Sequence, residues 1–246
     1  MIKKIVLLAL IVCFSNNIFG QKIIDAIRAK NYEEVKILLE KGTKPNKYGK
    51  KGLFPLWVAC AENDTAILKL LIKFKADVNQ KTDGEYPNGG LHFAAQEGFL
   101  DIIKILIENG ANVNSLGVVN HSAIRVACRN GHLDVVKYLL EHGAVLDDKL
   151  GNDRATPLEG AAGQGHLDIV QYLVEKGANV NHQDKELDTP IGEAALKGHL
   201  DVVKYLLEHG ANPALKNDKG YDAAYRAKIS GHPQIAKFLA EFLEKK

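Results

Sequence analysis

The chain has 246 residues, of which 46% are hydrophobic, with 32 lysine and arginine residues against 30 aspartate and glutamate residues. That length and apolar content suffice for a sizeable buried core. A nearly balanced charge without a long basic run argues against nucleic acid as the partner, because sustained attraction to it needs a basic surface.

At the N-terminus, Met1-Ile2-Lys3-Lys4 is a short basic lead, Ile5 to Phe14 is an apolar run of ten residues, and Ser15 to Gly20 is a polar stretch that ends in a small residue. This pattern predicts a secretory signal peptide over residues 1–20, cleaved after Gly20, and an exported protein that is periplasmic or secreted. The apolar run is too short to cross a bilayer, which needs about 20 residues, so no integral membrane anchor is expected after cleavage. Val12 is bulky where a lipoprotein site requires a small residue, which argues against lipidation at Cys13. Loss of Lys3 and Lys4 with the leader leaves 30 basic residues against 30 acidic ones.

The remainder, residues 21–246, is a series of copies of one segment. Weak copies come first, KNYEEVKILLEKGTKPN from Lys30 and NDTAILKLLIKFKADVN from Asn63. GFLDIIKILIENGANVN follows from Gly98. GHLDVVKYLLEHGA then occurs twice, from Gly131 and from Gly198, with GHLDIVQYLVEKGA between them from Gly165 and GHPQIAKFLAEFL after them from Gly231. From Gly98 onward the spacing is 33 or 34 residues, the signature of stacked repeats. About seven units result: an N-terminal cap over about 22–50, repeats over about 51–215 and a C-terminal cap over about 216–246.

Each unit encodes two helices. Thr156 and Thr189 can accept a hydrogen bond from the first helical turn, and Pro157 and Pro190 sit where a missing N–H costs nothing. A second helix is predicted to start at Leu133, Leu167, Leu200 and Pro233. Asp134, Asp168 and Asp201 fall in its first turn, favourably placed against the helix dipole by about 0.3–1 kcal/mol. Val135, Val136, Leu139 and Leu140 give one apolar stripe. Gly110, Gly143, Gly177 and Gly210 end these helices in a left-handed conformation. Paired alanines such as Ala94-Ala95, Ala161-Ala162 and Ala194-Ala195 let neighbouring helices approach closely. One such pair cannot bury its stripe alone, so stability comes from its neighbours.

These residues resemble the ankyrin repeat family, whose unit is a β-turn and two antiparallel helices. Thr156-Pro157-Leu158 and Thr189-Pro190-Ile191 resemble the family's Thr-Pro-Leu-His start, and Leu91-His92-Phe93-Ala94-Ala95 the segment after it. The expected fold is therefore all-α, an ankyrin-repeat solenoid of helix-turn-helix units with β-turn tips. Cys60 and Cys128 occupy equivalent positions two units apart. With helices spaced by about 8–10 Å, their sulfurs are too distant for a disulfide, and both are expected to be buried small side chains. His132, His166, His199 and His232 recur in register one layer apart, too far to share a metal ion, and are expected to cap or brace the turn between their two helices. His142 and His209 are expected at the solvent. No motif for a hydrolase, zinc site or phosphate loop is present. The expectation is a non-enzymatic chain without cofactor or metal.

The resemblance implies binding of another protein through the β-turn tips and first helices, a concave surface. The second helices of the fourth and sixth units are identical, while their turns read SLGVVNHS and HQDKELDT. Their first helices carry Arg125, Arg129 and Asn130 in one and Gly192, Leu196 and Lys197 in the other. Gln96 with Glu97 and Gly163 with Gln164 are the corresponding pairs elsewhere, and Arg154 and Asp188 stand in the turns. The turn from Thr82 to Gly90 carries about two extra residues, including Tyr86. Trp57 stands where the family has histidine. Trp and Tyr are enriched among residues that dominate binding energy, which nominates Trp57 and Tyr86 as anchors. The candidate partner-binding set is Trp57, Tyr86, Gln96, Glu97, Arg125, Arg129, Asn130, Arg154, Gln164, Asp188 and Lys197. Tyr138, Tyr172 and Tyr205 are expected as framework on the outer side. Both ends are expected to be capped, which predicts a monomer. The resemblance to exported bacterial ankyrin proteins implies support of a periplasmic enzyme, stress-protective catalases being examples. It leaves open an immunity protein that inhibits a toxin or a secreted effector acting on a host protein.

Overall fold

The structure, a computed structural model, describes residues 20–83, 88–149 and 151–244. The expected leader up to Phe19 and the nominated Tyr86 lie outside the described residues. Among the described residues there are 14 α-helices and no strands. They are α1 (20–28), α2 (Tyr32–Glu40), α3 (Pro55–Ala61), α4 (Thr65–Lys73), α5 (Gly90–Glu97), α6 (Leu100–Glu108) and α7 (Ala123–Asn130). The series continues with α8 (Leu133–Glu141), α9 (Pro157–Gln164), α10 (Leu167–Glu175), α11 (Pro190–Lys197), α12 (Leu200–Glu208), α13 (Ala223–Ile229) and α14 (Pro233–Glu244). These are the seven helix pairs of an all-α repeat solenoid.

The local reasons are those encoded in each repeat. Thr156 and Thr189 cap α9 and α11 by accepting the amides of Glu159 at 3.3 Å and Gly192 at 3.1 Å. Each proline follows at the first helical position. The second helices begin at Leu133, Leu167, Leu200 and Pro233. Val135, Val136 and Leu139 of α8 are buried, each contributing about 1.5–3 kcal/mol.

The chain divides into two compact units, one running to Ala94 and including Phe99–Asn112, the other made of Ala95–Gly98 and the chain from Val113 onward. In the N-terminal unit α2 packs on α4 and α4 on α6, with α3 beneath α4. Trp57 of α3 meets Phe93 edge-on at 5.0 Å. The turn after α4 closes through Lys81 bridging Gly89, and the Asp83 amide donates to the Gly52 carbonyl at 2.9 Å. Cys60 is a buried free thiol. In the C-terminal unit the first helices α7, α9, α11 and α13 are consecutive neighbours, and α8, α10 and α12 form a second row behind them. Cys128 is buried and free there, and burial pushes both thiols well above the usual range.

Two side-chain devices hold successive repeats in register. Asn181 donates its amide to the Gly210 carbonyl at 3.0 Å and accepts the Asn212 amide at 2.7 Å. Asn114 does the same with Gly143 and Val145, and, within the N-terminal unit, Asn79 does so with Gly110 and Asn112. Each such bond contributes about 0.5–1.5 kcal/mol. The second device is the recurrent histidine. His166 places Nε2 at 3.2 Å from the Arg129 carbonyl of the preceding repeat, and His132 at 2.8 Å from that of Gln96. These imidazoles do not cap their own helices; they brace one repeat against the one before. A Cβ on Gly131 would lie 2.7 Å from the His166 ring, so this glycine is fixed by the neighbour as well as by its φ of 81°.

The outer tyrosines behave as framework. Tyr138 and Tyr205 stack on His142 and His209 at 3.9 and 4.0 Å. Those exposed histidines also hydrogen-bond the Tyr138 and Tyr205 carbonyls through Nδ1, each at 2.8 Å.

Glycines at two positions of the same repeat separate the two constraints. Gly143 has φ 88° and open space around it, so Gly143→Ala is expected to cost only the backbone term of about 1–2 kcal/mol. Gly131→Ala carries that term and the clash with His166, and is expected to cost more. Urea denaturation of both variants measures the difference; equal losses would remove the histidine contact as the reason for the glycine.

Candidate functional site

The turns and first helices of the C-terminal unit enclose a groove of about 290 Å³. Its walls come from positions that differ between otherwise matching repeats. Arg125 on α7 is buried, and its guanidinium donates two bonds to the Asp153 carboxylate, at 2.6 and 2.5 Å. This hydrogen-bonded pairing holds the Asp153 carboxyl down at about 2. His121 Nε2 lies 3.8 Å from the same carboxylate. Burial, reinforced by the Arg125 charge, lowers the pKa of that imidazole.

One repeat further, Glu159 occupies the α9 position equivalent to Arg125, and is 6% exposed. Burial, then the charges of Asp184 and Glu193, push its carboxyl up to about 9. Its Oε2 is buried without a hydrogen-bond partner among the described residues. Asp184 is held in place because its Oδ1 accepts the amides of Glu186 and Asp188, both at 2.9 Å. Burial raises the pKa of Asp184 as well.

On the far side, the buried Arg226 of α13 lies 2.8 Å from Asp188 and pairs with Glu193 of α11. Asp188 also accepts from the Asn217 side-chain amide at 3.0 Å. Gly192 leaves the space that this guanidinium fills, since a Cβ there would lie 2.8 Å from Arg226 Nη1. The groove is thus a row of carboxylates in which two sets hold an internal arginine.

Five nominated residues, Arg125, Arg129, Gln164, Asp188 and Lys197, meet at this groove. Arg129, Gln164 and Lys197 are exposed on its rim, whereas Arg125 and Asp188 are engaged in the ion pairs just described. Asn130 is exposed at the end of α7, bonded through its side chain to the Val126 carbonyl. Arg154 is exposed with φ 58°, and its carbonyl meets His182 Nε2 at 2.9 Å. Gln96 and Glu97 are exposed and bonded to each other at 2.9 Å. Trp57 belongs to the N-terminal unit; its buried indole N–H has no partner among the described residues. A larger depression of about 560 Å³ in that unit is lined by Leu38, Lys41, Gly42, Thr43, Lys44, Asn46 and Lys47, and includes none of the nominated residues.

Sequence reasoning passed over Glu159, Asp153, Asp184, Glu186, Glu193 and Arg226. A signal for Glu159 was present: it follows Thr156-Pro157-Leu158, where the ankyrin pattern has histidine. A carboxyl directed at a buried position is a local conflict, and such conflicts concentrate at functional sites. Nothing in the sequence marked Asp184 or Arg226 as its surroundings.

Two variants test these electrostatics. An acid whose pKa is raised from about 4.5 to about 9 in the folded state contributes stability that is present below pH 4.5 and lost as pH rises towards 9. The stability of the parent is therefore expected to fall relative to Glu159→Gln across that window, as read by thermal denaturation at successive pH values. Parallel profiles would show that Glu159 ionises normally. Arg125→Ala is expected to destabilise by about 1–3 kcal/mol and to return Asp153 towards ordinary carboxylate behaviour. Carboxyl carbon NMR reads this directly, and an unchanged Asp153 titration would remove Arg125 as the cause of its low pKa.

Known proteins carry the same repeat pattern. Family models described as ankyrin repeats match residues 23–117 and 91–184 in three-copy form and residues 193–240 in many-copy form. The chain is 32% identical over 98 residues to human transient receptor potential cation channel subfamily A member 1, covering 37% of this chain and 9% of the channel. It is 32% identical over 94 residues to alpha-latroinsectotoxin-Lt1a of Latrodectus tredecimguttatus, covering 38% of this chain and 6% of the toxin. Putative E3 ubiquitin-protein ligase XBAT34 of Arabidopsis thaliana is 35% identical over 85 residues, covering 33% of this chain and 22% of the ligase. The chain thus spans less than a quarter of the length of each of these relatives. Matching models over most of its length, together with seven helix pairs in the repeat's register, establish that the chain belongs to the ankyrin repeat family.

Proposed function

We propose that this protein is a non-enzymatic scaffold that binds a partner protein through the groove of its C-terminal compact unit. The family's repeats are generally non-catalytic interaction modules, and one observation carries the assignment to this face. The second helices α8 and α12 have identical sequences, while the residues that line the groove change from repeat to repeat. A framework held constant beside a varied polar surface fits recognition of one specific partner.

The N-terminal pattern supports export, with the mature chain acting as a monomer in the periplasm or outside the cell. Among the described residues no helix is long and apolar enough to cross a membrane. In this reading the partner is a periplasmic enzyme that the scaffold supports. The mixture of Arg129 and Lys197 with carboxylates along the groove favours such a partner over one that demands a uniform charge. A second reading is an immunity protein that covers a basic toxin surface. It is favoured by the excess of carboxyl groups in the groove, six against three cationic residues.

Site-specific photocross-linking in cells of the source organism tests the face. A photoreactive residue at Gln164 is expected to capture a discrete partner that the same residue at Lys137, on the second-helix row, does not capture. Equal capture from both positions, or capture from Lys137 alone, would place recognition elsewhere.

A further inference from the structure

We propose that the Glu159–Asp184 pair is the seat for a basic side chain, an arginine or lysine carried by the partner polypeptide. The proposal rests on the groove being the partner-binding face and adds the chemistry of the contact. Three carboxylate sets line the groove in successive order. At the first, Asp153 binds Arg125. At the last, Asp188 and Glu193 bind Arg226. The middle set, Glu159 with Asp184, holds no arginine: the two side chains are hydrogen-bonded to each other, and Glu159 Oε2 is buried with no hydrogen-bond partner among the described residues. A buried polar oxygen without a partner costs free energy that the surrounding structure must bear. A cation between the two carboxyls would relieve it, as the arginines do on either side.

The groove of about 290 Å³ is lined by both carboxyls and so gives an inserted side chain access to them. Gly160 and Gly163 line the groove beside Glu159. A Cβ at these positions would touch the Arg129 Cβ at 3.7 Å and the Glu193 side chain at 3.5 Å, so the glycines add no bulk of their own and the Arg129 and Glu193 side chains form the wall there. The exposed Glu186, Gln164 and Lys197 supply the polar rim.

Insertion also has a definite proton balance. The groups that face Glu159 are Asp184 in the turn before α11, Glu193 on α11 and Arg125 on α7. Asp153, Asp188 and Arg226 complete the surrounding charges, each already paired. With the carboxyl raised to about 9 by burial and by those acidic neighbours, Glu159 holds its proton at neutral pH. An arriving guanidinium or ammonium favours the carboxylate, so the proton leaves to solvent as the cation enters. Binding exchanges one for the other and strengthens as pH rises.

The test uses the full mature chain and a glycine-flanked single-arginine peptide, with the neutral citrulline peptide as its isostere. The arginine peptide is expected to shift the Glu159 side-chain carboxyl carbon signal to its ionised position at pH 7. The citrulline peptide is expected to bind at least tenfold more weakly. Glu159→Gln, which keeps the shape of the protonated carboxyl, is expected to lose at least tenfold in arginine-peptide affinity and to lose proton release measured by calorimetry in two buffers. Equal binding of the two peptides, or an unshifted Glu159 signal at saturation, would overturn the proposal. Tighter binding of free spermidine than of the arginine peptide would overturn the assignment to a polypeptide side chain. Photocross-linking from Gln164 separates the two readings. Capture that persists undiminished in Glu159→Gln would overturn the cation seat and leave the docking face standing, whereas capture lost in that variant supports both.

Discussion

An ankyrin helix pair has only one apolar stripe and cannot bury it without a neighbour, so the contact between consecutive repeats is the constraint on which everything else depends. Here it is held in part by directional bonds. Asn181 clasps the next loop through one donor and one acceptor, and the imidazole of His166 reaches the carbonyl of Arg129 in the repeat before. Packing alone would permit a layer to slide, because dispersion and apolar burial are not directional. Hydrogen bonds to fixed backbone groups permit one register.

That register brings the groove together. Because α7, α9, α11 and α13 stand side by side at a fixed offset, equivalent positions fall in rows, and a charge on one first helix faces the carboxylates of an adjacent repeat. Arg125 finds Asp153, and Arg226 finds both Asp188 and Glu193. The same geometry leaves Glu159 among acidic neighbours. A protein without such a layer spacing could not produce both outcomes from so small a set of substitutions at one helix position. The buried ion pairs are weak as sources of stability; their effect is to fix where the remaining carboxyls stand.

The groove also divides the variable residues into two kinds. Arg129, Gln164 and Lys197 are exposed and available to a partner, while Arg125 and Asp188 shape the wall. Both kinds vary between repeats, so variation by itself does not separate contact from support. Burial separates them. Trp57, in the N-terminal unit, is half-buried, with its ring edge-on to Phe93.

The sequence by itself determined the repeat, its period and the ends of its helices. Those features are local: a capping threonine followed by proline, an acidic residue in the first turn and a glycine at the left-handed end act within a few residues of each other. It also determined which positions vary. The tertiary structure decided which varied residues are buried, which charges pair and which remain unmet. Arg125 and Asp153 are 28 residues apart, and Arg226 and Glu193 are 33 apart. Their encounter depends on the offset between layers. The histidines show the same division: their recurrence was legible in the chain, but their role across repeats followed only from the Gln96 and Arg129 carbonyls that the stack sets beside them. Glu159 was visible as a departure from the Thr-Pro-Leu-His start, but the carboxyls that hold its proton come from the next repeat, and only folding brings that repeat alongside.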